Sequence, residues 1–286
     1  MRILLALAVL AIAPATASAD TDLGPLERDT TVATWGGRAV WSAYNAENKR
    51  FELMTWTAAG GVEKVPVPLG EAPFDADLGP APDGSHRAVY SRAGTIHAFD
   101  FTSGRETDTG LRGTRPHVWW DRVTFVSGRS LRQRIIGTDW RRTIFKRLPK
   151  GFRRFDVGRS VMAYATTRRG GDRTVATLRM RSLRTGSEQR VLRTSSGLLS
   201  SAGITGVNFV GFQQVGAVKF RRAAEGNRVI RFRWGAKRPE QATGRKNVLD
   251  GGLVGGGRLL YLQAGGETDA GCEAGCRLRV SDPLSF

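Results

Sequence analysis

The sequence predicts an all-β chain, a β-propeller of six blades with four antiparallel strands each. Three observations carry this. A short apolar strand ending in an aromatic residue recurs along the chain, as Arg38-Ala39-Val40-Trp41, Arg87-Ala88-Val89-Tyr90, Arg122-Val123-Thr124-Phe125, Val161-Met162-Ala163-Tyr164, Ala217-Val218-Lys219-Phe220 and Arg258-Leu259-Leu260-Tyr261. The aromatic falls at positions 41, 90, 125, 164, 220 and 261, an average step of about 44 residues that lies inside the ~40–50 residue period of propeller blades. Thirty-six glycines punctuate the chain, and almost no stretch spaces its apolar residues at helical intervals.

Taken in order, each repeat supplies the parts of a blade. One strand precedes the motif, as at 31–35 and 116–120, and a second follows it across a tight turn. The second strands are expected at 51–56, 96–101, 134–140, 176–183, 228–234 and 277–280. A third, more polar strand closes several units, at 62–67, 143–148 and 187–193. One such sheet cannot bury both faces by itself, so blades stack around an axis and cover one another. The expected boundaries are 30–69, 70–111, 112–149, 150–194, 195–246 and 247–286. The last unit lacks an outer strand, since only Ser281 to Phe286 follow Val280. Residues 20–29 are unclaimed at the other end and are expected to supply it, with Pro25 tolerated on an edge strand.

The first nineteen residues read as a signal peptide. Arg2 is the single charge, an apolar run covers 3–13, and Pro14 and the small Ala17 and Ala19 follow, so cleavage is expected before Asp20. The apolar run is too short to span a bilayer. The mature chain is expected to be exported, secreted or periplasmic, and without a membrane anchor. Cys272 and Cys276 are the only cysteines. With no histidine near them in sequence, a disulfide in an oxidising compartment is the expectation, and no metal site.

Residues 82–105 carry a family resemblance. Pro82-Asp83-Gly84, then Arg87-Ala88-Val89-Tyr90, Thr95-Ile96-His97, Phe99-Asp100-Phe101 and Ser103-Gly104-Arg105 resemble the repeat of TolB-like, WD40-like propellers, which pairs a Pro-Asp-Gly turn with an aromatic-ended strand. The match is good over one repeat; only the second blade keeps Pro-Asp-Gly. The resemblance implies a six-bladed exported propeller used mainly as a binding platform. It carries over no partner, because TolB's own partners depend on an additional domain that this chain is too short to contain.

Catalytic constellations are not evident. The chain has no Gly-x-Ser-x-Gly elbow, His-Glu-x-x-His, phosphate loop or calcium loop, so no catalytic residue, cofactor or metal is assigned. His86, His97 and His117 read as structural or surface residues. Asp75, Asp77 and Asp83 are the one group that suggests a cation. The seven tryptophans, Trp119-Trp120 among them, are expected chiefly in blade cores rather than as sugar-stacking platforms.

Charge is unevenly distributed. The formal net charge is +18. Residues 20–111 hold 8 basic against 14 acidic residues, 112–246 hold 32 against 7, and 247–286 hold 3 against 5. In a closed ring this makes one half acidic and blades three to five strongly basic. An arginine-rich solvated surface, with long stems covering the outer strands, accounts for the alternation at 178–181 and 230–234, but a genome-wide bias should act on the whole chain, and the first two blades are net acidic. The basic half is therefore expected to face an anionic partner, a protein or a cell-envelope polymer, through Arg179, Arg181, Arg231 and Arg233. The lack of a recognition motif argues against nucleic acid. The competing expectation is a propeller enzyme, a hydrolase, lyase or sugar oxidoreductase, with its site at the mouth of the central channel. What lines that channel discriminates the two.

Overall fold

The structure is a computed structural model. It describes residues 20–28, 30–170, 173–196, 207–210, 215–222, 226–233, 235, 240–241, 248–254, 257–264, 272 and 275–283. The expected signal segment lies outside the described residues. Among them, no helix is long and apolar enough to cross a membrane.

The chain begins with strand β1 (Thr21–Leu26) and then lays down four-stranded antiparallel sheets in sequence. The first contains β2 (Val32–Trp35), β3 (Arg38–Asn45), β4 (Arg50–Thr57) and β5 (Gly61–Lys64). The second contains β6 (Asp75–Pro80), β7 (His86–Arg92), β8 (Thr95–Asp100) and β9 (Arg105–Arg112). The third contains β10 (Thr114–Trp119), β11 (Arg122–Ser127), β12 (Ser130–Ile135) and β13 (Arg141–Phe145). The fourth contains β14 (Phe152–Val157), β15 (Val161–Gly170), β16 (Arg173–Ser182) and β17 (Glu188–Ser196). Next come β18 (Val207–Val210), β19 (Val215–Arg222), β20 (Gly226–Arg233) and β21 (Glu240–Gln241), for which backbone pairing alone is described. The last sheet, β22 (Val248–Val254), β23 (Arg258–Ala264) and β24 (Cys276–Val280), takes β1 as its outer strand. The fold is a β-propeller. Against the expected six blades, five sheets have described side chains.

The N-terminal segment pairs antiparallel with the last strand, Thr21 opposite Val280 and Leu26 opposite Cys276. Pro25, opposite Arg277, therefore lies on an edge strand, the position within a sheet where proline is tolerated. The expected turn at the third sheet is displaced. Ser127 pairs with Ser130, because Gly128 at φ +59° reverses the chain within two residues, so β12 begins earlier than 134. The outer strands β5 and β13 likewise begin and end before the expected positions.

Alternation along each strand builds the interior. Val32, Trp41, Leu260, Leu262 and Leu278 bury between the last sheet and the first. Val40, Leu53, Phe74, Ala88 and Tyr90 do so between the first and second. Fully burying such a side chain contributes roughly 1.5–3 kcal/mol. The motif aromatic has a second task in two sheets: the hydroxyl of Tyr90 donates to Glu106 on the outer β9, and that of Tyr261 donates to Asp20 beside the outer β1. Desolvation and the Glu106 carboxylate push the Tyr90 phenol up, holding it as a donor. Towards the axis the innermost strands crowd. A Cβ on Gly79 would lie 2.4 Å from the Val118 carbonyl oxygen, so glycine is what lets β6 approach β10.

Candidate functional site

The strand registers place equivalent residues around the axis. Ala33 lies opposite Val40, Asp77 opposite Val89, His117 opposite Thr124 and Asp156 opposite Ala163. Each partner directly precedes the motif aromatic of its sheet. Two residues earlier come Thr31, Asp75, Arg115 and Arg154, and Asp250 stands at the same level two residues before Gly252, which pairs with Leu260. Of these, Thr31, Ala33, Asp75, Asp77, Arg115, His117, Arg154 and Asp250 line a cavity of about 40 Å³ at the channel mouth. At the far end of the innermost strands, Trp35 and Trp119 meet edge to face at 5.2 Å.

The channel carboxylates are already engaged. Asp250 accepts the Val32 N–H at 3.0 Å and the Gly251 N–H at 2.9 Å, which ties the last sheet to the first. Asp77 accepts the Val118 N–H at 2.8 Å, and Asp75 accepts that of Arg115 at 3.1 Å, tying the second sheet to the third. In the third sheet the equivalent residue is His117, whose Nδ1 lies 3.0 Å from Asp156 and 3.6 Å from Asp77. Burial opposes its charge, yet the Asp77 carboxylate and the hydrogen bond to Asp156 overcome that penalty and push its pKa up to about 10. His117 is therefore an imidazolium clamped between two carboxylates. The charged form is thus favoured near neutral pH.

Asp77, His117 and Asp156 also have ligand atoms within 4.8 Å of one another, but a cation there would have to displace the proton that His117 holds between the two carboxylates. The expected grouping of Asp75, Asp77 and Asp83 is not formed, because Asp83 sits in an exposed turn and accepts from Ser85. His86 begins β7 and meets the Gly36 carbonyl of the first sheet at 3.0 Å. His97 stacks on Tyr90 at 5.8 Å.

A second site lies on the fourth sheet. Aligned on Phe125 and Tyr164, β11 ends at Ser127, level with Thr166, while β15 continues to Gly170. Met162 and Tyr164 are covered by Val126, Leu131 and Phe145 of the third sheet. Beyond them the hairpin overhangs the third sheet, and the face left uncovered among the described residues forms a basin of about 410 Å³ lined by Thr166, Arg168, Arg169, Val175, Thr177, Arg179, Arg190 and Arg193. No carboxylate is among these lining residues. Arg179 donates to the Thr166 hydroxyl at 3.2 Å and faces Arg190 directly across the ladder, a like-charge pair that disfavours the sheet. None of Arg168, Arg169, Arg190 and Arg193 has a carboxylate partner among the described residues.

Of the four arginines expected to bind an anion, Arg179 belongs to this basin. Arg181 does not: it pairs with Glu188 at 2.8 Å and lies over Phe145 at 5.0 Å. The side chains of Arg231 and Arg233 lie outside the described residues. Arg168, Arg190 and Arg193 were not singled out from the sequence, although the length of the apolar-polar alternation through 161–182 is the signal for the overhang. Cys272 and Cys276 form a disulfide with Cα atoms 5.0 Å apart.

No protein-family model matches the chain, and no curated protein does. Solved structures do resemble it. TolB from Acinetobacter baumannii aligns with a TM-score of 0.58 at 13% identity, covering 87% of this chain and 64% of that one. A puromycin-hydrolyzing peptidase from Mycobacterium tuberculosis aligns with a TM-score of 0.51 at 15% identity, covering 92% of this chain and 46% of that one. The chain thus spans less than two thirds of either protein. These identities establish the fold alone: the chain is a β-propeller of four-stranded antiparallel blades. Its fold is similar to that of TolB.

Proposed function

We propose that the protein is an exported, non-catalytic propeller, a six-bladed ring closed by its N-terminal strand, that docks on an anionic cell-envelope polymer. The observation that carries this reading is the arginine basin of the fourth sheet, where guanidinium groups converge without a carboxylate partner among the described residues. Arginine presents a planar fork that matches phosphate or carboxylate oxygens in bidentate fashion. The excess of basic residues over 112–246 extends the same field around the basin. The Cys272–Cys276 disulfide and the character of residues 1–19 support export.

The enzyme reading has the right residue types at the channel mouth but not the right arrangement. His117 is held protonated, each carboxylate accepts a backbone N–H or the imidazolium, and about 40 Å³ is far below the ~300 Å³ of small-molecule pockets. Retention of the purified mature protein on isolated cell envelopes, measured against salt, tests the proposal. Strong retention at low salt that falls steeply as salt rises is expected, since phosphate contacts release counterions. Absence of retention at low salt overturns it.

A further inference from the structure

We infer that the face opposite the channel mouth carries a saccharide-binding platform built from Trp120 and Trp140. β10 runs away from the mouth, from Arg115 to Trp119, so the β10–β11 turn lies at the far end, and antiparallel order brings the connection between β12 and β13 to the same end. Trp119 turns inward and is buried, whereas Trp120 and Trp140 are 37% and 39% exposed. No other aromatic among the described residues is so exposed.

The backbone is strained at the same place. Trp119 pairs with Arg122, leaving Trp120 and Asp121 as a two-residue loop, and Trp120 adopts φ +61°. The corresponding position in the first sheet is Gly36, at φ +53°. A bulky side chain in this left-handed conformation costs on the order of 1–2 kcal/mol. Trp120 is thus held where glycine would be favoured, and its indole is not repaid by burial.

The neighbours fit a sugar. Both connections present the same three chemistries: Trp120, Asp121 and Arg122 in one, and Asp139, Trp140 and Arg141 in the other. Arg122 lies 5.6 Å from the Trp140 ring, and Arg159 of the fourth sheet lies 5.6 Å from that of Trp120. A pyranose ring offers C–H faces to an indole and hydroxyls that both donate and accept. Carboxylate acceptors and guanidinium donors beside two indoles answer each need. The mixed charge of the two connections distinguishes this face from the all-arginine basin, and the occupant assigned is a pyranose oligosaccharide.

Screening the mature protein on a glycan array, followed by calorimetric titration of the best oligosaccharide, tests the assignment. Trp120→Gly is expected to weaken binding ~10-fold or more while leaving the melting temperature unchanged or raised, because glycine accepts φ +61° freely. Trp140→Ala is expected to weaken it similarly, and Val62→Ala, at an exposed position of the first sheet outside both sites, to leave it unchanged. Failure of every glycan to bind overturns the inference, as does equal affinity in the Trp120→Gly variant. A proline-rich peptide binding here where no glycan does also overturns it.

Discussion

Charged side chains meet two different fates at the channel mouth and on the fourth-sheet overhang. At the mouth, Asp75, Asp77, Asp156 and Asp250 each receive a hydrogen bond from a backbone N–H or from His117, and the charges link one sheet to the next. On the overhang, Arg168, Arg190 and Arg193 project into an open basin, and Arg179 and Arg190 oppose each other. Charge that is satisfied internally holds the ring together. Charge left unsatisfied on an uncovered face is available to something else.

The largest effect is expected at the mouth. His117→Gln removes the cation between two carboxylates, and breaking a buried pair costs about 3–5 kcal/mol; at about 2–4 °C per kcal/mol for a chain of this size, a thermal melt should shift down by roughly 10 °C. The pH dependence follows the same logic. An unfolded histidine titrates near ~6.5, while His117 is pushed up to about 10. Its stabilisation is therefore complete below about 6.5 and is lost as pH rises through about 10. Melts of the native protein recorded between those limits should decline, and the His117→Gln variant should lack that part of the decline.

A smaller effect is expected of Asp250→Ala, which strands the buried Val32 N–H and costs about 1–3 kcal/mol, read as a denaturant midpoint. Smallest, and opposite in sign, is Arg190→Glu. It places a carboxylate across from Arg179 and should stabilise the sheet by about 0.2–1 kcal/mol while lowering envelope retention. Should this variant both melt lower and bind as before, the contrast between the two regions would collapse.

Much of the fold is legible because the motif is local. Val89 and Tyr90 announce a strand whatever surrounds them, and the spacing of such strands announces a propeller. The site is less legible for a physical reason. Asp77, His117 and Asp156 are brought level by register across three sheets, so proximity in sequence misleads: Asp83 stands beside Asp77 in the chain and apart from it in space. Alternation does identify Arg179 and Arg181 as sharing a face. It cannot say that Phe145 and Glu188 engage the second, nor that Arg190 and Arg193 from the next strand join the first. Trp119 and Trp120 are adjacent and alike in sequence, yet the turn between β10 and β11 buries one and exposes the other.

The pairing of Thr21 with Val280 sets an order of events. Its partners lie far apart in sequence, so a long loop must close between them, and such contacts form late and slowly. During synthesis β1 must wait for β24, its partner, to emerge. Until β24 is made, β1 has no partner and the last sheet no outer strand.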